Sequence, residues 1–192
     1  MKYRVVAAFF GLVIGSGFGQ ALAEEPAKAA EKALPVLMQE LAKYQNAEKA
    51  TEQNLKTFDT LDFDVYTNQK WDRLHESHAE DILVHYPDGH TTKGIRDHIE
   101  ELKGIFVYAP DTRINVHPVK FGQGEWTGVI GVLEGTFSKP MPIADGRTIA
   151  PTGKPFKLTM ATLGHCTPAG VMDEEYLFWD NLAFMKQIGL AQ

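Results

Sequence analysis

Apolar residues change their spacing partway along this chain, and the change predicts helices first and strands afterwards. Val36, Leu37, Leu41 and Tyr44 recur at helical spacing, so a helix is predicted from about residue 36, with Pro26 and Pro35 limiting where it begins. A second helix is predicted over residues 68–79, capped by Asn68, with Trp71, Leu74 and His78 on one face. Residues 82–86 form a short apolar run that ends at the turn signal Pro87-Asp88-Gly89, which predicts a strand. Thr92 can cap a third helix, in which Ile95, Ile99, Leu102 and Phe106 fall at offsets of four, three and four. Its other face carries Arg96, Asp97, Glu100, Glu101 and Lys103 and is solvated.

After Pro110 the pattern turns to strands, over 114–121 and 126–137, joined by the hairpin signal Gly122-Gln123-Gly124-Glu125. Residues 138–155 hold four prolines and two glycines and read as a loop with a small hairpin about Asp145-Gly146, either a lid or a stiff surface excursion. Two last strands follow, joined by Thr167-Pro168-Ala169-Gly170, where Pro168 presets one corner and Gly170 can take a positive φ. A three-residue loop there pairs His165 with Asp173, Leu163 with Glu175 and Ala161 with Leu177. One face of the ribbon then carries Ala161, Leu163, His165, Glu175, Leu177 and Trp179, and the other Met160, Thr162, Cys166, Tyr176, Phe178 and Asp180. Neither face is plainly polar, so cover is expected on both, from helices inside and from a second copy in a homodimer outside. The element order gives an α+β fold, helices packed on one face of a curved sheet.

The N-terminus changes where this domain is expected to work. Lys2 and Arg4 precede an apolar run over residues 5–18, and Ala21-Leu22-Ala23 is a small-residue cleavage site, so residues 1–23 are expected to be an export signal and the mature chain periplasmic or secreted. Residues 24–60 then form a helical arm and 61–192 the domain proper. Removing the signal leaves 17 basic residues against 25 acidic ones, a net charge of −8, which argues against nucleic acid or an anionic membrane as a partner. The single cysteine, Cys166, rules out an intrachain disulfide and a cysteine-rich metal site.

Several short segments, in order, carry a family resemblance. They are Asp81-Ile82-Leu83-Val84-His85 before Pro87, Gly135-Thr136-Phe137, Pro151-Thr152-Gly153-Lys154, Glu174-Glu175-Tyr176 leading to Asp180, and Lys186-Gln187-Ile188-Gly189-Leu190. Over about 68–190 the chain resembles the SnoaL-like polyketide cyclases. The resemblance implies a nuclear-transport-factor-2-like fold, a cone-shaped half-barrel of curved antiparallel sheet around N-terminal helices and a deep pocket. It also implies an intramolecular aldol condensation run without a metal or organic cofactor. Characterised members carry an essential aspartate three residues before a second aspartate on the last strand. Matching the second to Asp180 puts Leu177 at the acid-base position, and a family histidine on the preceding strand meets Leu163.

If the face bearing Leu177 points into the pocket, Glu175 and His165 share it. A carboxylate and an imidazole in an apolar cone suit general acid-base work, which makes Glu175, His165 and His85 the candidate catalytic residues. The expected ligand is a small hydrophobic carbonyl compound, contacted by Tyr86, Asp88, His90, Phe106, Trp126, Leu163, Leu177 and Trp179. His85, Asp88 and His90 also invite a metal reading, although they form no HxH or HExxH pattern, and the expectation is no metal and no cofactor. His78, His98 and His117 read as structural. The competing reading is a non-catalytic periplasmic module that only binds a small ligand.

Overall fold

The computed structural model describes residues 18–192. Residues 1–17, and so most of the expected export signal, lie outside the described residues. The chain divides into two compact units, 1–44 and 45–192. The first helix, α1 (Phe18–Thr60), begins well before residue 36 and runs through both Pro26 and Pro35. Its Ala-, Lys- and Glu-rich composition favours helix strongly enough to override the proline signals. Among the described residues no helix is long and apolar enough to cross a membrane.

In the second unit α1 widens into a π-helical turn, Leu61–Tyr66, that buries Leu61, Val65 and Tyr66. Such turns are rare and concentrate at functional sites. The helix predicted over 68–79 is not formed. Gln69 takes a positive φ of 53°, only a 3-10 turn follows at Trp71–Glu76, and His78 instead opens β1 (His78–His85). Strand alternation wins here because Ile82 and Val84 are fully buried, and pairing extends back from them to His78. A short β2 (Thr91–Lys93) turns back on β1, and α2 (Ile95–Tyr108) starts from Gly94, with φ 96°, rather than from a Thr92 cap.

The remaining strands are β3 (Arg113–Ile114), β4 (Val119–Gln123), β5 (Trp126–Thr136), β8 (Pro155–Cys166) and β9 (Met172–Phe178), with a separate small hairpin of β6 (Met141–Pro142) and β7 (Thr148–Ile149). The strand expected over 114–121 is thus split into β3 and β4, with Pro118 between them, since proline cannot donate to a ladder. The hairpin about Asp145-Gly146 forms as expected. The main sheet runs β2-β1-β9-β8-β5-β3, with β4 also on β5. It is mixed rather than wholly antiparallel, because β1 and β9 pair in parallel. A short closing helix, α3 (Asn181–Gln187), is capped by the Asp180 carboxylate, which accepts from the Ala183 amide.

The β8–β9 register corrects the sequence expectation by one residue. Gly164 lies opposite Glu175, Thr162 opposite Leu177 and His165 opposite Glu174, with a bulge between His165 and Cys166. A bulge inserts an extra residue and reverses the facing beyond it. On β9 the buried face is therefore Met172, Glu175 and Leu177, while on β8 it is Leu158, Thr162, Gly164 and Cys166. His165 and Leu163 lie on the opposite face from Glu175. Gly164 serves the inward face, since a Cβ there would sit 2.4 Å from Met172 Sδ. Between the helices and this inward face the unit encloses a cavity of about 580 Å³.

Candidate active site

Two ionisable clusters lie on the cavity wall. The first joins three elements: His78 at the head of β1, His98 in α2 and Glu175 in β9, all buried. The Glu175 carboxylate Oε2 stands 3.4 Å from His98 Nε2 and 3.8 Å from His78 Nε2. These are ion-pair distances, and Glu175 Oε2 and His78 Nε2 have no hydrogen-bond partner among the described residues. The far nitrogens are engaged: His78 Nδ1 with Ser77 Oγ at 2.8 Å, and His98 Nδ1 with the Tyr86 hydroxyl at 3.0 Å. Burial pushes His98 down to about 4, against the pull of the Glu175 carboxylate. Burial alone would raise Glu175, but His78 and His98 outweigh it and hold the carboxyl below its ordinary value.

The second cluster starts in the π-helical turn. Asp62 lines the cavity, and its Oδ2 accepts from His117 Nε2 at 2.8 Å. His117 Nδ1 donates in turn to Asp59 Oδ1 at 2.8 Å, and Asp59 pairs with Lys120. Burial raises the Asp62 carboxyl above its ordinary value in spite of His117, and the neighbouring Glu175 charge adds to the rise. His117 is itself desolvated, yet its two carboxylate partners overcome that and hold it above its ordinary value. A chain of hydrogen-bonded groups thus leads from the cavity to the half-exposed Asp59. Around these clusters the wall is mainly apolar, with the phenols of Tyr66 and Tyr108 also lining it. Burial raises both, Tyr108 to about 12, so both remain protonated donors.

Of the residues singled out in the sequence, Glu175, Leu177, Tyr86 and Trp179 line the cavity, and Asp88 and His90 lie on its more exposed rim, 2.5 Å from each other. His165, His85, Phe106, Trp126 and Leu163 do not line it. His165 bonds to Asp173 at 2.6 Å on the outer face, beside the exposed Trp126. His85 also faces outward, stacked on Tyr176 and 3.0 Å from Glu174, so it does not join Asp88 and His90 in a metal site. Phe106 is buried among Tyr66 and Trp71 in the core. Among the described residues, the one set of three ligand-type side chains gathered closely enough to hold a metal ion is His78, His98 and Glu175.

The sequence treated His78, His98, Asp62 and His117 as structural or passed over them. One signal was present: His98 falls three residues after Ile95 and four before Leu102, squarely on the apolar stripe of α2. No comparable pattern marks Asp62, whose placement depends on the widened turn.

The fold is that of known proteins. A candidate SnoaL-like polyketide cyclase from Jannaschia sp. CCS1 superposes with a TM-score of 0.63 at 22% identity, over 74% of this chain and 95% of that one. IdmH, a candidate polyketide cyclase from Streptomyces antibioticus, gives 0.61 at 21% identity, over 71% and 99%. An NTF2-like protein of unknown function from Burkholderia pseudomallei K96243 gives 0.57 at 14%, over 71% and 98%. No curated protein matches the sequence. The family model for the SnoaL-like polyketide cyclases matches residues 58–188, and the chain belongs to that family.

Proposed function

We propose that this protein is an acid-base enzyme of cyclase type, which removes a proton α to the carbonyl of a small hydrophobic compound held in the cavity, with Asp62 as the base. The observation that carries this reading is a cavity-lining carboxylate raised by burial and hydrogen-bonded to a histidine that leads toward solvent. A base works best when its pKa approaches the working pH, and burial moves Asp62 in that direction. The C–H proton passes to the Asp62 carboxylate and the bonding pair becomes the enolate. The enolate carbon then forms a C–C bond to a second carbonyl, and the proton returns to the alkoxide so produced. Tyr66 and Tyr108 line the same wall, and neutral phenols are the donor type that an enolate oxygen requires. Membership in a family described as polyketide cyclases supports the carbonyl substrate class.

The test is α-proton exchange of hydrophobic aryl ketones in D2O, followed by NMR. The folded wild type should exchange the ketone protons catalytically, and Asp62→Asn should lower the rate at least about 100-fold, the usual worth of a general base. Equal rates in the two chains would remove Asp62 from the mechanism. One observation favours a second reading: the apolar Leu177 lines the wall where characterised cyclases place a carboxylate. A chain that binds the same ketones but exchanges none of their protons would be a ligand-binding module rather than an enzyme.

A further inference from the structure

We propose that His78, His98 and Glu175 form a binding site for a first-row divalent cation, zinc by their chemistry and spacing. Two imidazoles and one carboxylate are a zinc-type ligand set, and hard oxygen-seeking cations such as magnesium would not select them. All three residues are buried, and their ligand atoms lie within 4.8 Å of one another. Zinc bonds to nitrogen and oxygen of about 2.0–2.2 Å imply ligand-to-ligand edges of about 3.3–3.6 Å in a tetrahedron. The observed 3.4 Å and 3.8 Å edges to Glu175 Oε2 need only small side-chain rotations to meet that requirement.

The buried polar atoms point the same way. Ser77 Oγ lies 3.1 Å from the Leu74 carbonyl and 2.8 Å from His78 Nδ1, so that ring nitrogen is already engaged. His78 Nε2 faces Glu175 Oε2, and both atoms are buried without a hydrogen-bond partner among the described residues. Buried polar atoms left unpaired are costly, and a cation between the ring nitrogen and the carboxylate would satisfy both. A shared proton is the alternative, but 3.8 Å is beyond hydrogen-bond length. Ser77 and Tyr86 on the far nitrogens are the outer-shell partners that metal-ligating histidines ordinarily have.

All three residues also line the cavity, so a fourth coordination position would open onto it, as in catalytic rather than structural zinc sites. Under the proposed reaction the cation would polarise the substrate carbonyl next to the Asp62 base. That role rests on the proposed reaction, whereas the site does not. The inference replaces the cofactor-free expectation drawn from the sequence.

The experiment is a zinc titration of the metal-stripped full chain without substrate, in competition with a chromogenic chelator, with cobalt as a spectroscopic substitute. One zinc per chain is expected, with a tetrahedral cobalt spectrum and no competition from magnesium. Outer-shell changes typically weaken metal sites 10- to 100-fold, so Ser77→Ala should weaken binding about 10-fold, and His98→Gln and Glu175→Gln at least about 100-fold. The exposed-histidine variant His75→Ala should bind as the wild type does. Circular dichroism checks that each chain is folded, and should Glu175→Gln fail to fold, His98→Gln and Ser77→Ala decide the matter. Less than one equivalent bound by the folded wild type, or undiminished binding in folded His98→Gln, would overturn the site. Because Asp62→Asn should keep zinc binding while losing proton exchange, failure of the metal site and failure of the proposed reaction give different results.

Discussion

On the outer face of the β8–β9 ribbon, His165 meets Asp173 at 2.6 Å and His85 meets Glu174 at 3.0 Å, while on the inner face Glu175 stands 3.4 Å and 3.8 Å from two histidines. The outer pairs are shorter and better hydrogen-bonded, yet they are the ordinary ones. Asp173 raises His165, and Tyr176 followed by His85 lowers Glu174, which is the expected behaviour of partly solvated pairs. Such pairs are worth at most about 1 kcal/mol. The inner groups are looser and dry: burial pushes His98 down to about 4, and Glu175 Oε2 and His78 Nε2 have no hydrogen-bond partner among the described residues. Desolvation, and not proximity, separates the candidate site from its mirror image a few ångströms away.

The largest expected effect tests that separation directly. In the ketone exchange assay, Asp62→Asn on the cavity wall should cost at least about 100-fold in rate. His165→Ala on the outer face should leave the rate unchanged, because the side chain does not reach the cavity. The reverse result would move the chemistry to the outer face and undo the comparison.

Much of this arrangement was legible in the sequence. The turn at Thr167-Pro168-Ala169-Gly170, the apolar stripe of α2 and the small hairpin at Asp145-Gly146 follow from local rules, whereas the cavity placement of Glu175 and Leu177 was implied only by the family resemblance. What was not legible depended on one-residue events. The bulge beside Cys166 flips β8 relative to β9, and so exchanges His165 and Leu163 for Gly164 and Thr162 on the inner face. The positive φ at Gln69 ends helix formation and releases His78 into a strand, where it meets a histidine from α2. The π-helical turn sets Asp62 in the wall. Period-based reading carries no information on insertions of this kind, since the residues involved have ordinary identities and the events are fixed by tertiary pairing.

Two leucines on neighbouring strands sharpen the comparison at the level of stability. Leu177 is buried on the inner face and Leu163 is 38% exposed on the outer one. Truncation of Leu177 to alanine should cost about 2–4 kcal/mol in urea unfolding, toward the low end because the side chain already borders a cavity. Leu163→Ala should cost under about 1 kcal/mol. Equal losses would mean that the outer face is as tightly covered as the inner one.

The smallest effect concerns pH. His117 and His165 are both held above the ordinary histidine value by neighbouring carboxylates, His117 against its own desolvation and His165 first by its bond to Asp173. A histidine raised in the folded state binds its proton more tightly there than in the unfolded chain. Its stabilisation is therefore complete below about pH 6.5, the unfolded value, and is lost as the pH rises through the higher folded value. Unfolding free energies of wild type, His117→Gln and His165→Gln, measured from pH 6 to pH 9, should differ most at the acid end and converge as the pH rises. The His117 gap should be the wider, about 2 kcal/mol for two hydrogen bonds made by a charged ring whose side chain is 1% exposed. The His165 gap should stay below about 1 kcal/mol, because its side chain is 28% exposed and its carboxylate partners are solvated. Gaps of equal size would show that the two imidazoles feel the same dielectric, and burial would then no longer explain why the Asp62 cluster and the outer pair behave differently.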